Sequence, residues 1–215
     1  SKELIDKDIS VYWTGVNDIY SFKQINIIKK HLEKNKYDVV HTHLFPAQYW
    51  YIFARGLARL SLPSITTEHS TFNRRRNYLI FKHIDCKIYN RYHKIVCISE
   101  ATEKELLKWI PDLKEKTVTI HNGINLNKYN AIEPYHPSQI VSSLTEKNKL
   151  ILMVARMDEQ KDHETVIYAT QYLPDDMHIL FVGDGPKRKK YEDLVNKMDL
   201  KNRIHFLGFR HDVPK

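Results

Sequence analysis

"KLILMVARMDEQKDHETVIYA", residues 149–169, joins an apolar run fit for a buried strand to a stretch of helical period. The turn between them carries Arg156 at the strand's end and Lys161 just before Asp162, a residue type suited to cap the helix that follows. A helix amino terminus already bears partial positive charge, so two cations there are unfavourable unless an anion joins them. A phosphate or diphosphate would satisfy both cations and the helix amides; the plainer reading is that two long basic side chains extend into water. Ligands of open α/β sheets gather beyond the carboxyl ends of strands, which is where Arg156 stands.

Working outward, short apolar runs alternate with longer helical periods along the whole chain, the pattern of a mostly parallel sheet covered by helices. "ISVYW", "YDVVHTH", "SITTEH", "KIVCIS" and "TVTIHN" read as strands of a first unit, and "KLILMVA", "MHILFVG" and "RIHFLG" as strands of a second. Helices are expected over 18–34, 46–60, 76–93, 100–109, 163–172 and 187–198. Pro134, Pro137 and a serine pair interrupt any period between the units. The expected division is a first lobe over 1–135, a linker over 136–148 and the start of a second lobe over 149–215, with "LILMVA" as a central strand. The first lobe shows no opening strand with a glycine-rich turn before Ile9, and the second has only three strands. Both lobes therefore read as incomplete pieces of a longer protein.

Composition narrows the partners without choosing one. A net charge of +8 over 215 residues favours anions, whether nucleotides, acidic lipids or nucleic acid. Two cysteines, Cys86 and Cys97, form no disulfide framework and have no metal-ligand spacing, which fits a cytoplasmic setting. No apolar run has the ~20 residues needed to span a bilayer.

Other stretches carry chemistry. In "HILFVGDGPKRKKYEDL", Gly183, Asp184 and Gly185 form a tight strand-to-helix turn, but the third glycine of a dinucleotide fingerprint is absent. His41 and His43 share a strand face where a metal would need a third ligand that is not evident, so a satisfied polar pair is the simpler reading. His69, beside Glu68 and Ser70, lies at a strand end where a general base or hydrogen-bond donor would act, although single histidines are more often structural. His121 precedes Asn122 and Gly123 at a fourth strand end. Along 76–93, Ile80, Phe81, Ile84, Ile88 and Tyr92 form an apolar arc flanked by Arg76, His83, Lys87 and Lys94. With Arg74 and Arg75, that flank suits an acidic acceptor or an anionic membrane; the alternative is a core-facing helix with a solvated basic side.

In this order, "VHTHLF", "TTEHSTF", "IVCISEATEKEL", "IHNGINLNKY", "VARMDEQKDHETVIYA", "ILFVGDGPKRKKYEDL" and "IHFLGFRHDVP" resemble the successive blocks of the retaining glycosyltransferases of family 4. The resemblance implies an α/β fold of GT-B type, with two Rossmann-like lobes across a cleft. It implies that Arg156 and Lys161 grip the diphosphate of a nucleotide sugar and that His69 acts near the donor sugar and acceptor. More loosely, it sets Asn122, Gly123 and the turn from Gly183 to Gly185 beside the donor.

The implied reaction moves a sugar from a nucleotide-diphosphate donor to an acceptor hydroxyl with retention, in cell-surface polysaccharide or glycolipid synthesis. No cofactor or metal is implied, and the acceptor would be a sugar or lipid-linked sugar at the inner face of the membrane. Missing are the family's amino-terminal glycine-rich loop and its two late glutamates seven residues apart, so the 215-residue chain alone is expected to be inactive. A nucleotide-sugar epimerase of the same fold is an alternative. So is a basic, non-enzymatic module binding anionic membrane or nucleic acid through Arg74 to Arg76 and Lys187 to Lys190, although no groove-reading motif supports nucleic acid.

Overall fold

The computed structural model describes residues 9–130 and 132–213, so the expected lack of an opening strand before Ile9 concerns residues outside that range. The chain divides into two compact units after Gly123. The stretch from Ile124 to residue 135, expected to close the first lobe, groups with the second unit, where the Tyr135 hydroxyl donates to Asp212 Oδ2 at 2.9 Å.

In the first unit, strands β1 (Val40–His43), β2 (Ser64–Glu68), β3 (Lys94–Cys97) and β4 (Thr117–Thr119) form a parallel sheet in sequence order. Parallel neighbours need crossovers. These are α2 (Ala47–Leu57), α3 (Leu79–Tyr89) and α4 (Glu100–Trp109), while α1 (Lys23–Lys34) precedes β1. Helix α4 starts where Ser99 accepts the Thr102 amide at 3.2 Å, carries Glu100 and Glu103 in its first turn, and ends before Pro111. Ile52, Ala54, Tyr89, Ile95, Cys97 and Leu106 are among the most deeply buried residues of the core. Removing each large apolar side chain from water contributes about 1.5–3 kcal/mol.

Two expected elements differ. Ile9–Trp13 is not a strand; it is irregular and largely exposed, with Tyr12 stacked on His31 of α1 at 4.4 Å between ring centroids. The helix expected over 76–93 is shorter. A 3₁₀ turn at Arg74–Asn77, capped by Asn73 accepting the Arg75 amide at 3.1 Å, runs into an extended Tyr78, and only then does α3 begin. Lys94 falls on β3, so Arg76 and Lys94 do not share a helix face with His83 and Lys87.

In the second unit, β5 (Lys149–Val154), β6 (Met177–Val182) and β7 (Ile204–Gly208) form a parallel sheet in that order. Helix α5 (His163–Ala169) follows β5, and α6 (Arg188–Lys197) follows β6. Among the described residues β6 is central and β5 is at the edge, contrary to the expectation for "LILMVA"; Leu152 is 53% exposed where Phe181 of β6 is 0%. Its apolar character arises because one face meets the core and the other, with Leu150 and Leu152, lines a cavity of about 250 Å³ with Tyr135 and Leu207.

Candidate functional site

In the second unit, the two turns beyond β5 and β6 interlock through their backbones. The Ala155 amide donates to Val182 O at 3.0 Å, the Met157 amide to Asp184 O at 3.1 Å, and the Lys187 amide to Met157 O at 3.1 Å. Met157 is fully buried and anchors the first turn. A Cβ on Gly183 would press on the Ala155 carbonyl oxygen, and one on Gly185 on that of Met157, each inside the 3.0 Å that Cβ atoms keep. Gly183 also holds φ at +133°, a conformation closed to other residues. The glycines are thus explained by the neighbouring turn's backbone.

This interlock sets the cations. Asp158 accepts the Gln160 amide at 3.1 Å and starts the 3₁₀ turn Glu159–Lys161; Asp162, at φ +49°, caps α5. Asp162 itself accepts the Thr165 amide at 3.4 Å, so that amide is already engaged rather than offered to an anion. Arg156 is 71% exposed, with Asp158 Oδ2 at 3.9 Å as its nearest carboxylate. Lys161 is exposed and, among the described residues, has no carboxylate partner. The basic start of α6 differs. Lys187 meets Glu159 at 2.6 Å, Arg188 meets Glu192 at 2.8 Å, Lys189 meets Asp193 at 2.8 Å, and Lys190 pairs with Glu164. This run, expected to bind anions in the non-enzymatic alternative, is neutralised by its own lobe.

Arg156 lines a cavity of about 360 Å³ together with Ala155, Gly183, Asp184, Phe209 and Arg210; Lys161 stands outside that lining. Phe209 and Arg210 escaped the sequence reading. Their signal was Gly208, at φ +69°, ending β7 so that the next two residues turn toward the same strand ends. Arg210 is held by Asp212, whose carboxyl that guanidinium keeps well below the usual range.

In the first unit, His69 follows β2 and its Nε2 lies 2.9 Å from His43 Nδ1. The His43 ring lies tilted against that of His41 at 4.1 Å between centroids, and His41 Nε2 meets Thr67 Oγ1 at 2.7 Å. Among the described residues no group of three His, Cys, Asp or Glu side chains is arranged to hold a metal. Glu68 points the opposite way to its neighbour His69, into a buried network. Its carboxylate accepts from Gln48 Nε2 at 3.0 Å, from the Tyr89 hydroxyl and from Arg76 at 3.4 Å. Arg75 is 7% exposed and faces Asp85 at 3.5 Å, where Trp109 Nε1 at 2.9 Å and the Tyr49 hydroxyl also donate.

Arg75 and Arg76, expected to serve an acceptor or membrane, are turned into the lobe: each guanidinium meets a carboxylate, while Arg75 Nη1 and Arg76 Nε and Nη1 are buried without a hydrogen-bond partner among the described residues. Arg74 and Lys87 remain exposed, Lys87 beside an apolar cavity of about 570 Å³ lined by Phe53, Ile84 and Ile88. Asn122 and Gly123 are exposed beyond β4, next to His121, whose Nε2 meets Glu100 at 3.0 Å. Among the described residues no helix is long and apolar enough to cross a membrane.

Two Rossmann-like units, each with a parallel sheet, match the fold of the GT-B class of glycosyltransferase. The chain belongs to glycosyltransferase family 4: residues 4–128, more than half of it, match the model Glycosyltransferase Family 4, and residues 138–215 match Glycosyl transferases group 1. The UDP-Gal:alpha-D-GlcNAc-diphosphoundecaprenol alpha-1,3-galactosyltransferase of Escherichia coli is 28% identical, over 93% of this chain and 54% of its own. A Campylobacter jejuni N-acetylgalactosamine-N,N'-diacetylbacillosaminyl-diphospho-undecaprenol 4-alpha-N-acetylgalactosaminyltransferase is 23% identical, over 71% of this chain and 39% of its own. The chain thus spans about half or less of the length of these relatives. Anabaena HepE, solved in complex with UDP and glucose, superposes with a TM-score of 0.80 at 22% identity, covering 99% of this chain and 60% of that one. WaaG, a glycosyltransferase involved in lipopolysaccharide biosynthesis, gives 0.57 at 13% identity, covering 89% and 67%.

Proposed function

We propose that this chain is the acceptor-side lobe and the start of the donor lobe of a retaining hexosyltransferase. The enzyme would move a sugar from a nucleotide-diphosphate donor to the hydroxyl of a sugar or lipid-linked sugar, in cell-surface polysaccharide or glycolipid synthesis on the cytoplasmic side of the membrane. The observation that carries it is the pair Arg156 and Lys161 after β5: Lys161 has no carboxylate partner among the described residues and Arg156 only a long contact to Asp158 at 3.9 Å, while Lys187 to Lys190 are each held by a closer carboxylate. As the donor's glycosidic bond breaks, negative charge grows on the leaving diphosphate, and cations already in place stabilise it without reorganising. The complexes with UDP and with UDP-linked sugars formed by HepE, and the UDP-galactose named for the Escherichia coli relative, support a uridine donor. His69 would meet the sugar or acceptor from the first lobe, and Asn122, Gly123 and the turn at Gly183–Gly185 would border the donor.

The test uses the full-length protein that carries this chain, a panel of nucleotide sugars and a diphosphate-lipid-linked acceptor, with the anomeric configuration of the product read by NMR. Transfer with retention is expected. Turnover of donor to an isomer with no acceptor present would instead favour an epimerase. Transfer is expected to proceed unchanged in excess chelator, and the 215-residue chain alone is expected to show none.

A further inference from the structure

His41 and His43 of β1 and His69 just beyond β2 make a row of which the proposed sugar transfer uses only His69. That residue is exposed, and an exposed imidazole normally samples several rotamers and both tautomers. Here its Nε2 is tied to His43 Nδ1 at 2.9 Å. One proton lies in that contact, because two neutral imidazoles share it as one donor and one acceptor. His43 is fixed in turn: its ring lies 4.1 Å from that of His41, and His41 is anchored by Thr67 Oγ1 at 2.7 Å on the paired strand. Burial, with His41 and His69 alongside, lowers the pKa of His43, in keeping with a neutral ring. Among the described residues no side chain bonds to His69 Nδ1.

We infer that His43 is a positioning residue: its Nδ1 accepts the Nε2–H of His69, which holds that ring in one orientation and in the Nε2–H tautomer, so that an unprotonated Nδ1 faces the ligand. The inference rests on the proposed role of His69 in sugar transfer. His43 does not touch the substrate; it acts through the contact with His69. The arrangement is that of a base held by an orienting partner, with a second imidazole where a carboxylate is more usual. Glu68, the carboxylate adjacent in sequence, is not available for that task because the core network holds it.

The first test is spectroscopic and independent of transfer. Imidazole nitrogen NMR of this chain should show His69 as a single tautomer with a hydrogen-bonded Nε2. In His43→Ala, His69 should shift to the averaged signals of a free imidazole. His43→Asn, whose amide reaches the position of Nδ1, should keep the bound pattern. His69 signals unchanged in His43→Ala would overturn the inference.

The second test is a double-mutant cycle in the full-length transferase. His43→Ala should lower kcat about 10- to 100-fold with the donor KM little changed, as misplacement of a reacting group does. His43→Asn should recover most of that rate. In a His69→Ala background, His43→Ala should have no further effect; an additive loss would mean that His43 acts by another route and would overturn the inference. If His69→Ala alone leaves transfer intact, the role of His69 in the reaction fails. The hold of His43 on that ring is then decided by the spectra alone.

Discussion

In the sequence, the arginine run of the first lobe and the spaced cations of the donor lobe are equally suited to anions, yet the fold treats them in opposite ways. Arg75 and Arg76 turn inward and are engaged by Asp85 and Glu68. Arg156 stays 71% exposed with its nearest carboxylate at 3.9 Å, and Lys161 lies in the next turn. The run from Lys187 to Lys190 behaves like the arginines, each cation meeting a carboxylate of α5, α6 or their turns. Crowded cations repel one another, and carboxylates nearby in the fold relieve that repulsion; a spaced pair at a strand end is under no such pressure. Position relative to the sheet, more than local charge density, therefore decides which cations the fold leaves open.

That contrast can be broken from either side. Arg75→Ala should give the largest effect on stability, about 3–5 kcal/mol, because it strands a buried carboxylate. The loss should sit near the lower end, since Tyr49 and Trp109 still donate to Asp85. Urea unfolding checks it, and an unmoved midpoint would return Arg75 to the surface. Arg156→Ala should do the reverse, leaving the melting temperature in place while slowing transfer about 10²–10³-fold, as removal of a preorganised charge does. Near-normal transfer would make the pair ordinary surface charge.

A smaller effect concerns protons. His163 is 0% exposed, stacked on Tyr191 at 5.2 Å between centroids, and its ring nitrogens have no partner among the described residues. Burial lowers its pKa below the ordinary 6.5, and His43 and His205 shift the same way. Below that pH the unfolded chain binds more protons than the folded one, so stability falls as the medium is acidified from about pH 7 to about pH 5. His163→Phe keeps the stack and removes one contribution, so denaturation across that range should show a shallower slope. An unchanged slope would mean that the His163 ring does not titrate differently on folding. Lys189→Ala should show least, changing neither melting temperature nor transfer, because Asp193 engages an exposed side chain already.

Much of the architecture was legible because buried parallel strands are short apolar runs, and seven of the eight expected strands form. "ISVYW" misled because aromatic and β-branched residues also suit a segment lying on a helix, as Tyr12 does on His31. The helix over 76–93 is shorter than its period suggests because Asn73 caps a separate turn upstream and Tyr78 is extended between the two. Arg156 and the Gly183 turn could be read from strand-end position. The engagement of Arg75 could not, since its partner Asp85 is ten residues away and is made a buried acceptor only by the fold, which brings Tyr49 and Trp109 onto it. The contact between His43 and His69 was equally hidden, because it depends on the register of β1 against β2.

The glycine interlock in the donor lobe has a consequence for how such an enzyme diversifies. Contacts between main chains contain no rotamers, so side-chain substitution cannot tune the spacing of the two turns; it either preserves them or disrupts both. Amides of Ala155, Met157 and Lys187 should accordingly exchange with solvent deuterium as one cooperative group. Under the proposed function, changes in donor preference would then arise at Phe209 and Arg210, which line the same cavity as Arg156, rather than at the backbone contacts that fix the two turns.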